Sequence, residues 1–424
     1  MTRTELEDQQ FYGLGIAPTL LERLEALGFK HPTPIQFKAI PVATAGDDVI
    51  GIAQTGTGKT LAFSIPMLQQ MSARGKMGLV LLPTRELAVQ VEETLRKLAG
   101  PLGLRTAVLI GGMSMGPQIK ALRAKPHVIV ATPGRLIDHL EQKNVKLDQI
   151  GVLVLDEADR MLDMGFAPQL KKILVTVPAD RQTMLFSATM PEEIAKIART
   201  YMKQPLRVEV APSGTTIEKV DQEMYIVPKA EKTELLARLL KEYRGTVLVF
   251  TRTKHGARKV AMDVKRMNHT VAEIHSNRSQ FQRQDALKGF SNGRYRVLVA
   301  TDIAARGIDV KNIELVINFD LPDHTEDYVH RIGRTGRAGL SGKAISLADP
   351  AQKGDIRQIE RLIRKTLQVK TPSGELIDRS RDASSPAGSS RDRRGGSRPP
   401  FRGGGRPHRS GGGGRSGGYR GGSR

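Results

Sequence analysis

Val152-Leu153-Val154-Leu155-Asp156-Glu157-Ala158-Asp159 is the stretch that decides how this chain is read. Its apolar run is too short and too β-branched for a helix of its own, and it predicts a buried strand of a parallel sheet. The run stops at two adjacent carboxylates. In an open α/β sheet, ligands gather just beyond the carboxyl ends of the strands. Asp156 and Glu157 therefore stand where one can reach a metal ion and the other can orient water. Upstream, Ala53-Gln54-Thr55-Gly56-Thr57-Gly58-Lys59-Thr60 reads as a phosphate loop, with Ala53 where the consensus has Gly. Gly56 and Gly58 let successive backbone N–H groups turn toward phosphates, Lys59 adds a point charge, and the following helix directs its positive end at the anion. Thr60 offers a hydroxyl to Mg²⁺ and Asp156 should hold the same ion, with Glu157 as the base that prepares water. Together the two segments predict a nucleoside triphosphatase.

Composition sets the wider frame. The chain has 424 residues, long enough for two or three domains, and no cysteine, which excludes disulfides, thiolate metal sites and a thiol nucleophile. No apolar stretch approaches membrane-spanning length, so the expectation is a cytoplasmic protein with no membrane partner. Lys and Arg number 66 against 44 acidic residues, a formal charge of +22. Arg379 to Arg424 carries 12 Arg and 2 Asp, so about +12 remains on the rest, a balance that suits a nucleic-acid partner.

Three regions separate along the chain. Up to about Arg207, short apolar runs alternate with helical patterns, as in βα units. Strands are expected at Asp48–Ile52, Gly78–Leu82, Val128–Ala131, the run ending at Asp156, and Met184–Ser187. Pro212-Ser213-Gly214-Thr215-Thr216 reads as the interdomain linker. A second α/β set follows, with strands expected at Val247–Phe250, Val297–Ala300, Leu315–Asn318 and Ala344–Leu347. Ile356, Ile359, Leu362 and Ile363 mark one face of a last helix. The expected division is an N-terminal segment over 1–37, a nucleotide-binding domain over 38–211, a linker over 212–219, a second domain over 220–370, and a tail over 371–424. The tail, rich in Arg-Gly-Gly steps, has too few apolar groups to offset its ordering entropy and is expected to be disordered.

Hydrolysis needs positive charge opposite the metal. His330-Arg331-Ile332-Gly333-Arg334-Thr335-Gly336-Arg337 offers it from the second half, with Arg334 and Arg337 three apart, on one side of any helix there. One domain would hold the nucleotide and the other would supply the fingers.

With these motifs in order from Phe11 to Leu367, the chain resembles the DEAD-box RNA helicases, and its Arg/Gly-rich tail is similar to that of the bacterial RhlE-like group. The resemblance implies two tandem RecA-like domains with parallel sheets, ATP and Mg²⁺ as cofactors, and RNA as partner. Gly28 to Gln36 resembles the Q motif, which implies that Gln36 reads the adenine edge and Phe11 packs on the ring. It places Pro83, Thr84, Arg85, Gly111, Gly112, Thr132, Gly134 and Arg135 on RNA-facing loops of the first domain. Ser187-Ala188-Thr189 looks like the motif that couples hydrolysis to closure. In the second domain, Val249 to Arg252 and Gln280 to Arg283 occupy positions that touch RNA or the first domain, Gln280 as a coupling residue and Arg283 as an RNA ligand. Thr301 would meet an RNA phosphate, Arg306 would take part in coupling, and Asp309 would hold the ATP ribose. His330 would bridge toward the first domain. Ser276 departs from the family's Gly after His275.

Small residues, hydroxyls and guanidinium groups on such loops read the backbone rather than base edges, so weak sequence preference is expected. RNA would be told from DNA by 2′-hydroxyl contacts. The expected activity is ATP-driven local separation of short RNA duplexes, with ribosomal particles or RNA-decay machinery as settings. An ATP-gated RNA clamp or annealing chaperone and a DNA helicase are the other readings weighed.

Overall fold

The computed structural model describes residues 10–54, 56–210, 220–305, 313–336 and 342–377. The expected linker falls wholly outside these residues, as does the tail from Asp378. Two seven-stranded sheets account for all the strands described here.

The first sheet is built from β1 (Val49–Ile52), β2 (Met77–Leu81), β3 (Thr106–Leu109), β4 (Val128–Ala131), β5 (Ile150–Asp156), β6 (Gln182–Ser187) and β7 (Leu206–Glu209). Their spatial order is β3-β4-β2-β5-β6-β1-β7, and every pairing is parallel. Parallel neighbours require a crossover, and the intervening helices cover both faces. The strand side chains show it directly. Val152 and Val154 point into one apolar cluster while Leu153 and Leu155 point into another on the opposite face. This two-sided burial is why the central strands read as unbroken apolar runs.

The second sheet repeats the plan with β8 (Val220–Ile226), β9 (Val247–Thr251), β10 (Val271–Ile274), β11 (Val297–Thr301), β12 (Leu315–Asn318), β13 (Gly342–Ala348) and β14 (Gln368–Lys370), in the order β10-β11-β9-β12-β13-β8-β14. Here Leu248 and Phe250 enter one cluster and Val247 and Val249 the other. The expected last helix is present as Lys353–Ile363, with Ile356, Ile359 and Ile363 buried.

The nine strands expected from sequence are all found, within two residues at their ends. Five more were not foreseen, and their chemistry explains why. β3, β7, β10 and β14 are sheet edges. On β7, only Val208 is buried. β8 is interior but carries Asp221, Gln222 and Glu223, which break the apolar run. Their polarity is answered across the sheet, where Lys343 lies 2.7 Å and Lys370 3.0 Å from the Glu223 carboxylate and Tyr328 donates to Gln222.

Candidate nucleotide site and nucleic-acid interface

The carboxyl ends of β1, β6 and β5 lie side by side and deliver the phosphate loop, Ser187-Ala188-Thr189 and Asp156-Glu157 to one place. Gly56 and Gly58 both adopt left-handed backbone, with φ of 80° and 92°, as the curled loop requires. Gly58 is fixed for a second reason, since a Cβ there would collide with the Gln36 side-chain amide. That amide is buried and donates to Gly58 O at 3.0 Å while accepting from Thr33 N at 2.9 Å. The expected adenine reader is thus mechanically joined to the phosphate loop. Thr57 donates to Gln54 O at 2.7 Å, closing the loop on itself. Ala53 is buried, and its N–H donates to Ser187 O. Lys59 and Thr60 open the helix Lys59–Arg74.

Lys59, Asp156 and Glu157 are all buried. Lys59 Nζ lies 3.1 Å from Glu157 Oε1, and Arg160 Nε lies 3.2 Å from Glu157 Oε2. Burial pushes Glu157 up, but the facing Lys59 and Arg160 outweigh it and hold the carboxyl below the usual range, with His330 adding in the same direction. Burial raises Asp156 well above an ordinary aspartate; Lys59 opposes the shift and the adjacent Glu157 charge reinforces it. The two carboxyls are driven apart, one firmly ionised and one short of positive charge. Glu157 also has φ +55°, a left-handed conformation that costs energy in a non-glycine residue and commonly marks a working site.

Asp159 ties the acidic turn to the next strand end. Its Oδ2 accepts from Ala188 N, Thr189 N and Thr189 Oγ1 at 3.1, 2.9 and 3.0 Å, and its own N–H donates to Ser187 Oγ at 3.2 Å.

The two sheets meet at this site. Arg160 Nη2 is hydrogen-bonded to His330 Nδ1 across the cleft. Glu157, Arg160 and His330 thereby form a chain from the acidic strand end into the helix Thr325–Ile332 of the second domain. Arg334 is buried just beyond, its Nε donating to His330 O at 3.2 Å. Arg331, given no role from sequence, is a brace. It holds the Asp302 carboxylate with Nη2 at 2.6 Å, donates to Asp320 O at 2.6 Å, and lies over the Phe250 ring.

A second group of residues gathers on the loops after β2, β3 and β4. Gly112 has φ +74°, and a Cβ on it would run into the Arg85 guanidinium. Burial lowers the Arg85 pKa, and Arg283 and Arg135 lower it further against the opposing pull of Glu86. Three guanidinium groups thus act on one another here, with Arg283 paired to Glu86 and Arg135 to Asp138. Pro83, Thr84 and Thr132 are buried at the same strand ends. The Thr84 hydroxyl accepts from Leu87 N at 3.3 Å, capping its helix and leaving its O–H to donate. Arg135 donates to Met113 O at 2.9 Å. Thr301 is half-buried at the end of β11.

Two expectations change. Arg283 does not stand open to an RNA strand, because it is buried and its Nε is on Glu86 Oε1 of the first domain at 2.7 Å. Phe11 is not an open platform either, since it is 5% exposed and packed in the apolar core with Leu14 and Ile16, while Tyr12 stands 82% exposed. Gln280 is buried with neither amide atom hydrogen-bonded. Thr55, Arg306, Asp309 and Arg337 lie outside the described residues. Glu86, Asp159, Arg160 and Arg331 are the side chains whose parts were not foreseen. Asp159 and Arg331 lay inside quoted motifs, but nothing in the sequence tells which distant side chain each would meet.

Paired RecA-like sheets with a phosphate loop and an acidic strand end define a P-loop nucleoside triphosphatase. Residues 33–197 match the family described as DEAD/DEAH box helicase, and residues 231–339 match the helicase conserved C-terminal domain. The chain is 44% identical over 379 residues to the ATP-dependent rRNA helicase RRP3 of Candida albicans, a span covering 88% of this chain and 71% of that protein. It is 45% identical over 358 residues to the protein of the same name from Mycosarcoma maydis, covering 84% of this chain and 64% of that one. Among solved structures, S. cerevisiae Dbp5 bound to RNA and ADP BeF3 is similar with a TM-score of 0.76 at 30% identity, over 86% of this chain and 95% of that chain. Mss116p bound to ssRNA and AMP-PNP gives 0.77 at 28% identity, over 84% and 77%. The chain belongs to the DEAD-box RNA helicases, which are ATP-dependent enzymes.

Proposed function

We propose that this protein couples ATP hydrolysis to local separation of short RNA duplexes, and that the coupling runs through the domain cleft. The carrying observation is the chain Glu157–Arg160–His330, which makes the expected base continuous with the opposite domain. A carboxylate whose setting depends on the second domain is correctly poised only when the two sheets meet. ATP and RNA each favour the joined arrangement, so each tightens the other through that shared equilibrium.

Lys59 has a definite part in this. Its Nζ lies 3.1 Å from Glu157 Oε1, so a triphosphate bound by Lys59 would compete with the carboxylate for the same charge. Mg²⁺ suits the residues present. Asp156 is a buried oxygen donor whose desolvation outweighs the Lys59 charge acting on it, and Thr60 stands in the first turn of the helix Lys59–Arg74. Among the described residues no cluster of three or more carboxylate or imidazole ligands occurs, as fits an ion that takes one or two carboxylates and otherwise phosphate and water. Bound there, it would neutralise charge on the phosphates. Gln36 selects adenine in this reading, Arg85, Gly112, Thr132, Arg135 and Thr301 hold the RNA backbone, and Arg334 with Arg337 stabilises the transition state.

Ribosome assembly is the favoured setting, since the two relatives named above are rRNA helicases by name. The narrower RhlE-like grouping and a cytoplasmic location rest on the tail and on composition. No described helix is long and apolar enough to cross a membrane. The test is ATP turnover with RNA, with DNA of the same sequence, and with neither. RNA alone should stimulate it; an equal response to DNA would favour a DNA helicase, and tight RNA binding with negligible turnover would favour a clamp.

A further inference from the structure

One groove of the second domain lies beside the segment Gln280–Arg283 but outside the contacts described above. It holds about 410 Å³ between the helix Lys254–Arg266, the edge strand β10 and the helix Gln280–Ser291. Phe281 stands on its rim 80% exposed, and Met262 faces it 49% exposed. An aromatic ring so open to water has no packing role in the fold.

The charges in the groove are not balanced. Its two acidic side chains are already engaged, Glu273 with Arg278 and Asp285 with Arg294 at 2.6 Å. Arg258 and Lys265 also line it, and both are exposed. Lys254, Arg258, Met262 and Lys265 recur at helical spacing and share one face, a stripe about 16 Å long at 1.5 Å per residue. The stripe begins where the domain faces the cleft. Lys254 opens its helix three residues after β9 ends at Thr251, and its Nζ donates to Asn277 Oδ1 at 3.2 Å, joining the helix start to the loop after β10.

We infer that this groove continues the RNA track out of the cleft, with Arg258 and Lys265 on phosphates of a single-stranded arm and Phe281 stacked on one of its bases. The inference rests on the RNA reading above. A basic stripe with a lone accessible ring is the combination that holds single strands with little sequence preference. An acidic peptide added along the edge of β10 is the rival occupant, but it would leave the ring without a stacking partner.

The test uses the full chain and two RNAs, one just filling the cleft and the same RNA extended by a single-stranded arm at either end. In the unaltered protein the armed RNA should half-saturate the ATPase at a lower concentration than the short one. Phe281→Ala should raise that concentration about fivefold or more for the armed RNA and leave the short one unchanged. Arg258→Gln should weaken the salt dependence for the armed RNA alone, as removal of one phosphate contact does. Equal half-saturation by both RNAs in the unaltered protein, or titrations unmoved by Phe281→Ala, would overturn the inference and leave the groove to a protein partner. Failure of the RNA reading itself is distinguishable, because then neither RNA stimulates turnover.

Discussion

Arg334→Ala is expected to lower RNA-stimulated ATP turnover by about a thousandfold to a hundred-thousandfold, the span associated with a transition-state arginine. The expectation comes from placement. Arg334 is buried one helical turn beyond His330, accepted by its carbonyl, and His330 touches the Arg160 that holds Glu157. A guanidinium so placed arrives at the nucleotide only with the second domain. Binding and catalysis should therefore separate, with ATP and RNA affinities changing far less than the maximal rate. Single-turnover rates at saturating ATP and RNA provide the check, and retained turnover would remove the finger assignment.

Glu157→Gln should reduce turnover by about a hundredfold to ten-thousandfold, as loss of a general base does. The glutamine is nearly isosteric, so the strand-end turn is kept. The charge it removes is the one paired with Lys59, which a triphosphate must otherwise compete for. ATP should consequently bind at least as tightly to the variant, and a stalled complex with ATP and RNA should accumulate. Equilibrium binding beside turnover reads both effects. Normal turnover would show that another group prepares the water, whereas weakened ATP binding would contradict the account of Lys59.

Much of this was legible in the amino-acid sequence because the central strands are buried on both faces. Val152 to Leu155 alternate between two apolar clusters, so neither face needs a polar residue and the run declares itself. β7 and β10 sit at edges with half-solvated side chains and look like loops. β8 was hidden because Glu223 is answered by Lys343 and Lys370, which lie far off in sequence. The site divides in the same way. The phosphate loop and the acidic turn are local, and their spacing alone announces them. Arg160 pairs locally with Glu157, but its contact with His330, like those of Arg283 with Glu86 and Arg331 with Asp302, joins residues far apart in sequence that only the folded chain brings near. Phe11 shows the converse, for an aromatic residue expected at the ligand is drawn into the core by its neighbours Leu14 and Ile16.

The joined cleft is the central claim, and reciprocal affinity is its most direct measurement. The dissociation constant of a non-hydrolysable ATP analogue should be determined with and without saturating RNA, and that of RNA with and without the saturating analogue. The account predicts that each ligand tightens the other by the same factor, about 5- to 150-fold, because one equilibrium between separated and joined domains serves both. Affinities that ignore the second ligand would contradict it.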